Sequence, residues 1–87
     1  MTQLQKLIKF FLSSPTEARF EDVERILTVF GFEEVRSKGS HHIFRHEDGR
    51  MQPIPKQGGK KVGKRYIKQI IKLLRLEDWD VQEKEED

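Results

Sequence analysis

The spacing of apolar residues changes twice along this chain, and each change rules out most folds. Leu4, Leu7, Ile8, Phe11 and Leu12 recur at helical intervals until Ser13-Ser14-Pro15 stops them, which predicts an amphipathic helix within residues 1–14. Phe20, Val23, Ile26, Leu27 and Phe30 repeat the pattern, with Glu21 and Asp22 in the opening turn and Gly31 placed to cap the end. The period then falls to two. Segments 32–37, 41–46 and 50–54 are separated by Lys38-Gly39-Ser40 and Glu47-Asp48-Gly49, short turns in which glycine supplies the positive φ that a hairpin needs. Pro53 and Pro55 donate no ladder hydrogen bond, so the third strand belongs at an edge or ends there. Residues 57–61 read as a flexible loop, after which Val62, Tyr66, Ile67, Ile70, Ile71 and Leu74 return to the helical period.

This order predicts an α+β fold, a three-stranded antiparallel meander with the core helices on one face and the other face open. With 87 residues there is room for one domain and a small core. The expected domain spans residues 1–76, with an acidic, frayed tail over 77–87 from which Trp79 alone can dock on the core. The first helix is expected to lie against the exposed side of the domain, with partner binding or dimerisation as its other uses.

The net charge of +2 conceals a strong segregation: residues 1–35 carry −2, residues 36–75 carry +10 and residues 76–87 carry −6. Twelve cations against two acids in the middle segment attract polyanions through phosphate contacts and counterion release. The acidic end would repel a polyanion or fold back as a decoy. A chain without cysteine has no disulfide framework and no thiolate zinc site. The first residues lack the apolar run of a secretory signal and no stretch approaches the roughly 20 apolar residues of a membrane span. A cytoplasmic protein is the expectation.

Within the basic segment, side chains alternate across the second strand, so His42, Phe44 and His46 share one face while His41, Ile43 and Arg45 share the other. With Phe44 as the core anchor, His41 looks outward beside Gly39 and Ser40, whose backbone and hydroxyl can approach a phosphate. An imidazole titrates near neutrality and can accept a proton from a ribose 2′-OH or give one to a departing 5′ oxygen, while neighbouring cations stabilise the developing charge. A solvated lysine face and a merely polar histidine are the plainer readings of the same residues. His42 and His46 read as structural, set beside Phe44. The three histidines make a poor metal site, because adjacent strand residues face opposite ways and no carboxylate pair completes one. Ser40 has no triad context, and Gly58-Gly59-Lys60-Lys61 lacks the spacing of a nucleotide-binding loop.

From Phe20 to Leu76 the chain resembles the HicA toxin family, also called YcfA-like, of type II toxin-antitoxin systems. The likeness is carried by a helix ending in Gly31-Phe32, then Val35-Arg36, Lys38-Gly39-Ser40-His41-His42-Ile43-Phe44, Ile54-Pro55, Gly59-Lys60 and a closing helix through Ile67, Ile70 and Leu74. The resemblance implies a double-stranded-RNA-binding-domain-like α-β-β-β-α fold, here with an extra N-terminal helix. It also implies a metal-independent endoribonuclease that cleaves messenger RNA without a cofactor, with His41 as the catalytic histidine and a HicB antitoxin covering it. Many members carry a histidine two residues after the strand-three proline; this chain has Gln57, an amide that can bond a phosphate oxygen but cannot shuttle protons at neutral pH. The expectation is thus an RNA-cleaving toxin with His41 as general acid/base. Arg36, Lys38, Gly39, Ser40, Arg45, Gln57, Lys60, Lys61 and Lys64 would hold RNA. A non-catalytic RNA-binding module and a protein-interaction domain are the alternatives.

Overall fold

The computed structural model describes residues 2–56, 58 and 60–79. Thr2 opens the first helix, α1 (Gln3–Leu12): its hydroxyl accepts the Gln5 amide at 3.1 Å while the Gln5 side chain accepts the Thr2 amide at 2.8 Å. Two otherwise orphaned donors are thereby satisfied reciprocally. The inner face of α1 buries Ile8 and Phe11 against the second helix, α2 (Phe20–Val29), and the last, α3 (Lys64–Leu74). Full burial of side chains of this size stabilises the fold by about 1.5–3 kcal/mol each. The first helix therefore packs on the helices, not against the exposed side of the domain as its sequence suggested, and leaves the open sheet face uncovered.

A short strand, β1 (Glu17–Arg19), precedes α2, and three further strands, β2 (Phe32–Lys38), β3 (His41–His46) and β4 (Met51–Pro55), form the antiparallel meander in the order β2-β3-β4. The α+β expectation and the three strand positions hold. Because β4 lies at an edge, Pro53 and Pro55 leave the inner ladder intact. Gly31 ends α2 with φ +93°, and a Cβ built there would stand 2.8 Å from His46 Nε2. Gly39 takes φ +58° at the first position of the β2–β3 turn, where a type II′ hairpin needs it. At the β3–β4 turn the His46 carbonyl accepts the Gly49 amide at 2.9 Å, and Gly49 has φ +96°. A three-residue loop closed by a left-handed glycine is the result.

The start of the closing helix also needs correction. The apolar period puts Val62 in the closing helix and Lys61 in the preceding loop, but both lie in a fifth strand, β5 (Lys61–Gly63), antiparallel to β1. Ala18 pairs with Val62, and both are buried. A three-residue strand has too few positions for its period to be read, and its partner lies more than forty residues away. Helix α3 therefore starts at Lys64, after Gly63. Ile67, Ile70 and Leu74 are buried in the core it shares with Phe32, Phe44 and Ile54 of the sheet. Arg75 then takes a left-handed conformation, one helical turn follows over 76–79, and Trp79 lies against the core with Leu76 fully buried. The remainder of the acidic tail lies outside the described residues.

Candidate functional site

The outer sheet face is assembled by strand register. Lys38 pairs with His41, Arg36 with Ile43 and Glu33 with Arg45 across β2–β3. On the other side His41 pairs with Pro55, Ile43 with Pro53 and Arg45 with Met51. Residues directly opposite one another share a face and bring their Cβ atoms to about 4.5–5.5 Å, so Lys38 and His41 are side-by-side neighbours. The ladder shifts between Glu34 and Arg36. Val35 is the extra residue of that β-bulge and is 49% exposed. The shift matters because a bulge resets which residues of β2 face outward: it keeps Arg36 and Lys38 on the same side as Arg45 and His41.

His41 is exposed at the first position of β3, immediately after Gly39-Ser40. The Ser40 carbonyl accepts the Lys56 amide at 2.6 Å, so the tip of the β2–β3 hairpin is tied to the chain leaving β4. This tie holds the hairpin backbone behind His41, and the imidazole is left facing solvent. Lys56 was not among the expected contact residues. Its Nζ stands 4.3 Å over the Phe20 ring, an attraction between a cation and the negative face of the ring. Register could have revealed it: it follows Pro55, the residue opposite His41.

The other two histidines turn inward, as the alternation predicts. His42 Nδ1 lies 2.5 Å from Glu34 Oε2, and its ring sits 4.6 Å from that of Phe20, with the side chain only 11% exposed. His46 lies edge-on to Phe32 at 5.1 Å, and its Nδ1 accepts the Asp48 amide at 3.1 Å. Both rings are thus integrated into the fold, whereas among the described residues His41 has no side-chain hydrogen-bond partner. Phe44 between them is 1% exposed. The next turn carries a perturbed carboxylate: the Arg50 amide, bonded at 2.9 Å, and the Arg50 side chain at 2.7 Å hold Asp48 below the ordinary aspartate range.

Of the residues expected to hold RNA, Arg36, Lys38, Gly39, Ser40 and Arg45 share the sheet face or its hairpin tip with His41. Lys60, Lys61 and Lys64 belong to another part of the molecule. The Lys60 carbonyl accepts the Phe20 amide at 2.8 Å, Lys61 Nζ pairs with Glu17 Oε1 at 2.9 Å, and Lys64 begins α3. Gln57 lies outside the described residues. Sequence reading placed Ile43 on the outer face but missed that exposed Met51 and Pro53 of β4 join it there. An exposed imidazole with Lys38 directly across the ladder and Arg36 one pair further along can bind a phosphodiester and move a proton at it.

Comparison with known families matches residues 20–76, about two-thirds of the chain, to a model described as the HicA toxin of bacterial toxin-antitoxin systems. The matched span runs from the first residue of α2 through the meander to Leu76, and leaves α1 and β1 outside. No curated protein and no solved structure matches the chain.

Proposed function

This chain belongs to the HicA toxin family of bacterial toxin-antitoxin systems, and on that premise we propose that it is a cytoplasmic, metal-independent endoribonuclease that cleaves messenger RNA. The observation that carries this reading is the outward-facing His41, cross-strand from Lys38 and directly after the Gly39-Ser40 turn. In the proposed reaction the imidazole takes the proton of a ribose 2′-OH. The 2′ oxygen attacks the adjacent phosphorus, and the bond from phosphorus to the 5′ oxygen breaks. The leaving oxygen takes a proton from water or from the Lys38 ammonium. A 2′,3′-cyclic phosphate and a 5′-hydroxyl result, with atoms and charge conserved.

Lys38, Arg36 and Arg45 oppose the charge that develops on the phosphoryl oxygens. Gly39 has no side chain to obstruct a phosphate, and the Ser40 hydroxyl can hold one. Lys60, Lys61 and Lys64, set apart from this face, and Gln57 would meet a longer RNA beyond the cleaved nucleotide. A positioned acid/base of this kind contributes about 10²–10⁴-fold to the rate. A HicB-like antitoxin neutralises the toxin by covering the sheet face that displays His41.

Incubation of the purified chain with a long single-stranded RNA in chelator tests the reading, with a folded His41→Ala variant beside it. Fragments ending in cyclic phosphate from the unsubstituted chain alone are the expected result. Intact RNA with both proteins, despite salt-sensitive retention, would replace the enzyme by a non-catalytic RNA-binding module. Gln57, where many family members have histidine, favours examining that second reading.

A further inference from the structure

Helix α3 carries a second cationic surface, on the far side of the domain from His41. Its buried residues Ile67, Ile70 and Leu74 face the core, which lies against the inner face of the sheet. Arg65, Lys68 and Lys72 are spaced i, i+3 and i+7, so they form one stripe, and all three are exposed. At 100° per residue that stripe lies nearly opposite the buried one. It extends about 10 Å along the axis at 1.5 Å per residue. No Asp or Glu occurs in α3, so within the helix the stripe has no acidic partner at i±3 or i±4. Glu77 of the next turn borders the same groove as Lys68 and Lys72 but forms no ion pair with either. Among the described residues none of the three forms an ion pair, whereas Arg50, Lys61 and Arg75 all do.

From this arrangement we infer that Arg65, Lys68 and Lys72 form a separate docking surface for the phosphate backbone of RNA, so that retention and cleavage occur on opposite faces. The stripe's own side chains are all cationic; the aliphatic groups beside it, Leu12 and Ile71, are half-buried in a groove that Lys68 and Lys72 border, and neither is an exposed anchor. That argues against a lipid surface, which interfacial helices enter with apolar residues, and against a protein partner, whose binding energy concentrates in apolar and aromatic anchors. Contact through cations alone is sequence-independent. A long RNA can therefore be gripped by α3 while a different segment reaches His41, and a short one can reach His41 without meeting α3.

The inference rests on the RNA-acting reading but is tested apart from catalysis, with a full-length His41→Ala parent that leaves the probe intact. Its affinity for a single-stranded RNA of about 30 nucleotides is measured by fluorescence anisotropy between about 50 and about 200 mM salt. Adding Arg65→Gln, Lys68→Gln and Lys72→Gln is expected to raise Kd about tenfold and to flatten the log–log salt slope by about 2, three contacts at roughly 0.7 each. Lys68→Arg and Lys72→Arg keep both charges and should restore the parent slope. In the chain that retains His41, the triple substitution should leave cleavage of a tetranucleotide unchanged.

An unchanged Kd and slope would overturn the inference. So would binding to phosphatidylserine vesicles that depends on the stripe while RNA affinity does not. An equal loss of turnover on the tetranucleotide would show that the two faces are not separate. A chain that holds RNA through the stripe yet cuts none removes the nuclease reading alone.

Discussion

The two faces of β3 use the same strand for opposite purposes. On the inner face His42, Phe44 and His46 are fixed by Glu34, Phe20 and Phe32, and removing what holds them costs stability. On the outer face His41, Ile43 and Arg45 meet Lys38, Arg36 and the strand of prolines, and little in the core depends on them. Histidine occurs on both sides, so residue type does not decide its role. Position relative to the pleat does: a shift of one residue would exchange the two sets completely.

The largest test of that contrast is His41→Ala. It is expected to reduce RNA cleavage by about 10²–10⁴-fold while leaving the thermal midpoint unchanged; a large fall in the midpoint would mean that His41 belongs to the core. Phe44→Ala, three residues on, should instead cost about 3–5 kcal/mol by opening a cavity, read as a lower denaturant midpoint. If the two variants lost activity and stability in the reverse order, the assignment of faces would be wrong.

Gly31→Ala sharpens the inner side. Its φ of +93° and the approach of a new Cβ to His46 predict a loss of about 1–3 kcal/mol in a urea melt. Arg45→Gln probes the outer side, where stability should stay within about 0.5 kcal/mol while RNA retention becomes weaker and less dependent on salt. The smallest effect is expected at Asp48, exposed at the end of β3. Its folded pKa is depressed chiefly by the Arg50 amide. Its contribution is therefore complete above the unfolded aspartate value of about 3.9 and is lost as pH falls through the lower folded value. Asp48→Asn should remove that part of the acid dependence in melts recorded below neutrality.

Much of this was legible because it is local. Helix α2 could be read from Phe20 to Gly31, since an apolar stripe, two acids in the first turn and a terminal glycine agree on one element. The outward direction of His41 followed from taking Phe44 as the buried residue. By contrast, the pairing of Ala18 with Val62 was invisible, because neither short segment contains a full period and nothing near either names its partner. The bulge at Val35 was equally hidden. Simple alternation starting from Phe32 would send Arg36 and Lys38 inward, and only the closed ladder shows that they face out beside His41.

The sequence by itself determined the kinds of element, their order, the hairpin turns and the division of β3 into two faces. Those properties follow from periodicity and from glycine and proline, whose constraints act over a few neighbouring residues. Tertiary structure decided that β1 and β5 join, that α1 covers the helices and leaves the sheet open, that Glu34 holds His42, and that Lys38 stands beside His41. Each of these depends on which distant segments meet. That choice is made by the burial and register of the whole chain, and no local window contains it.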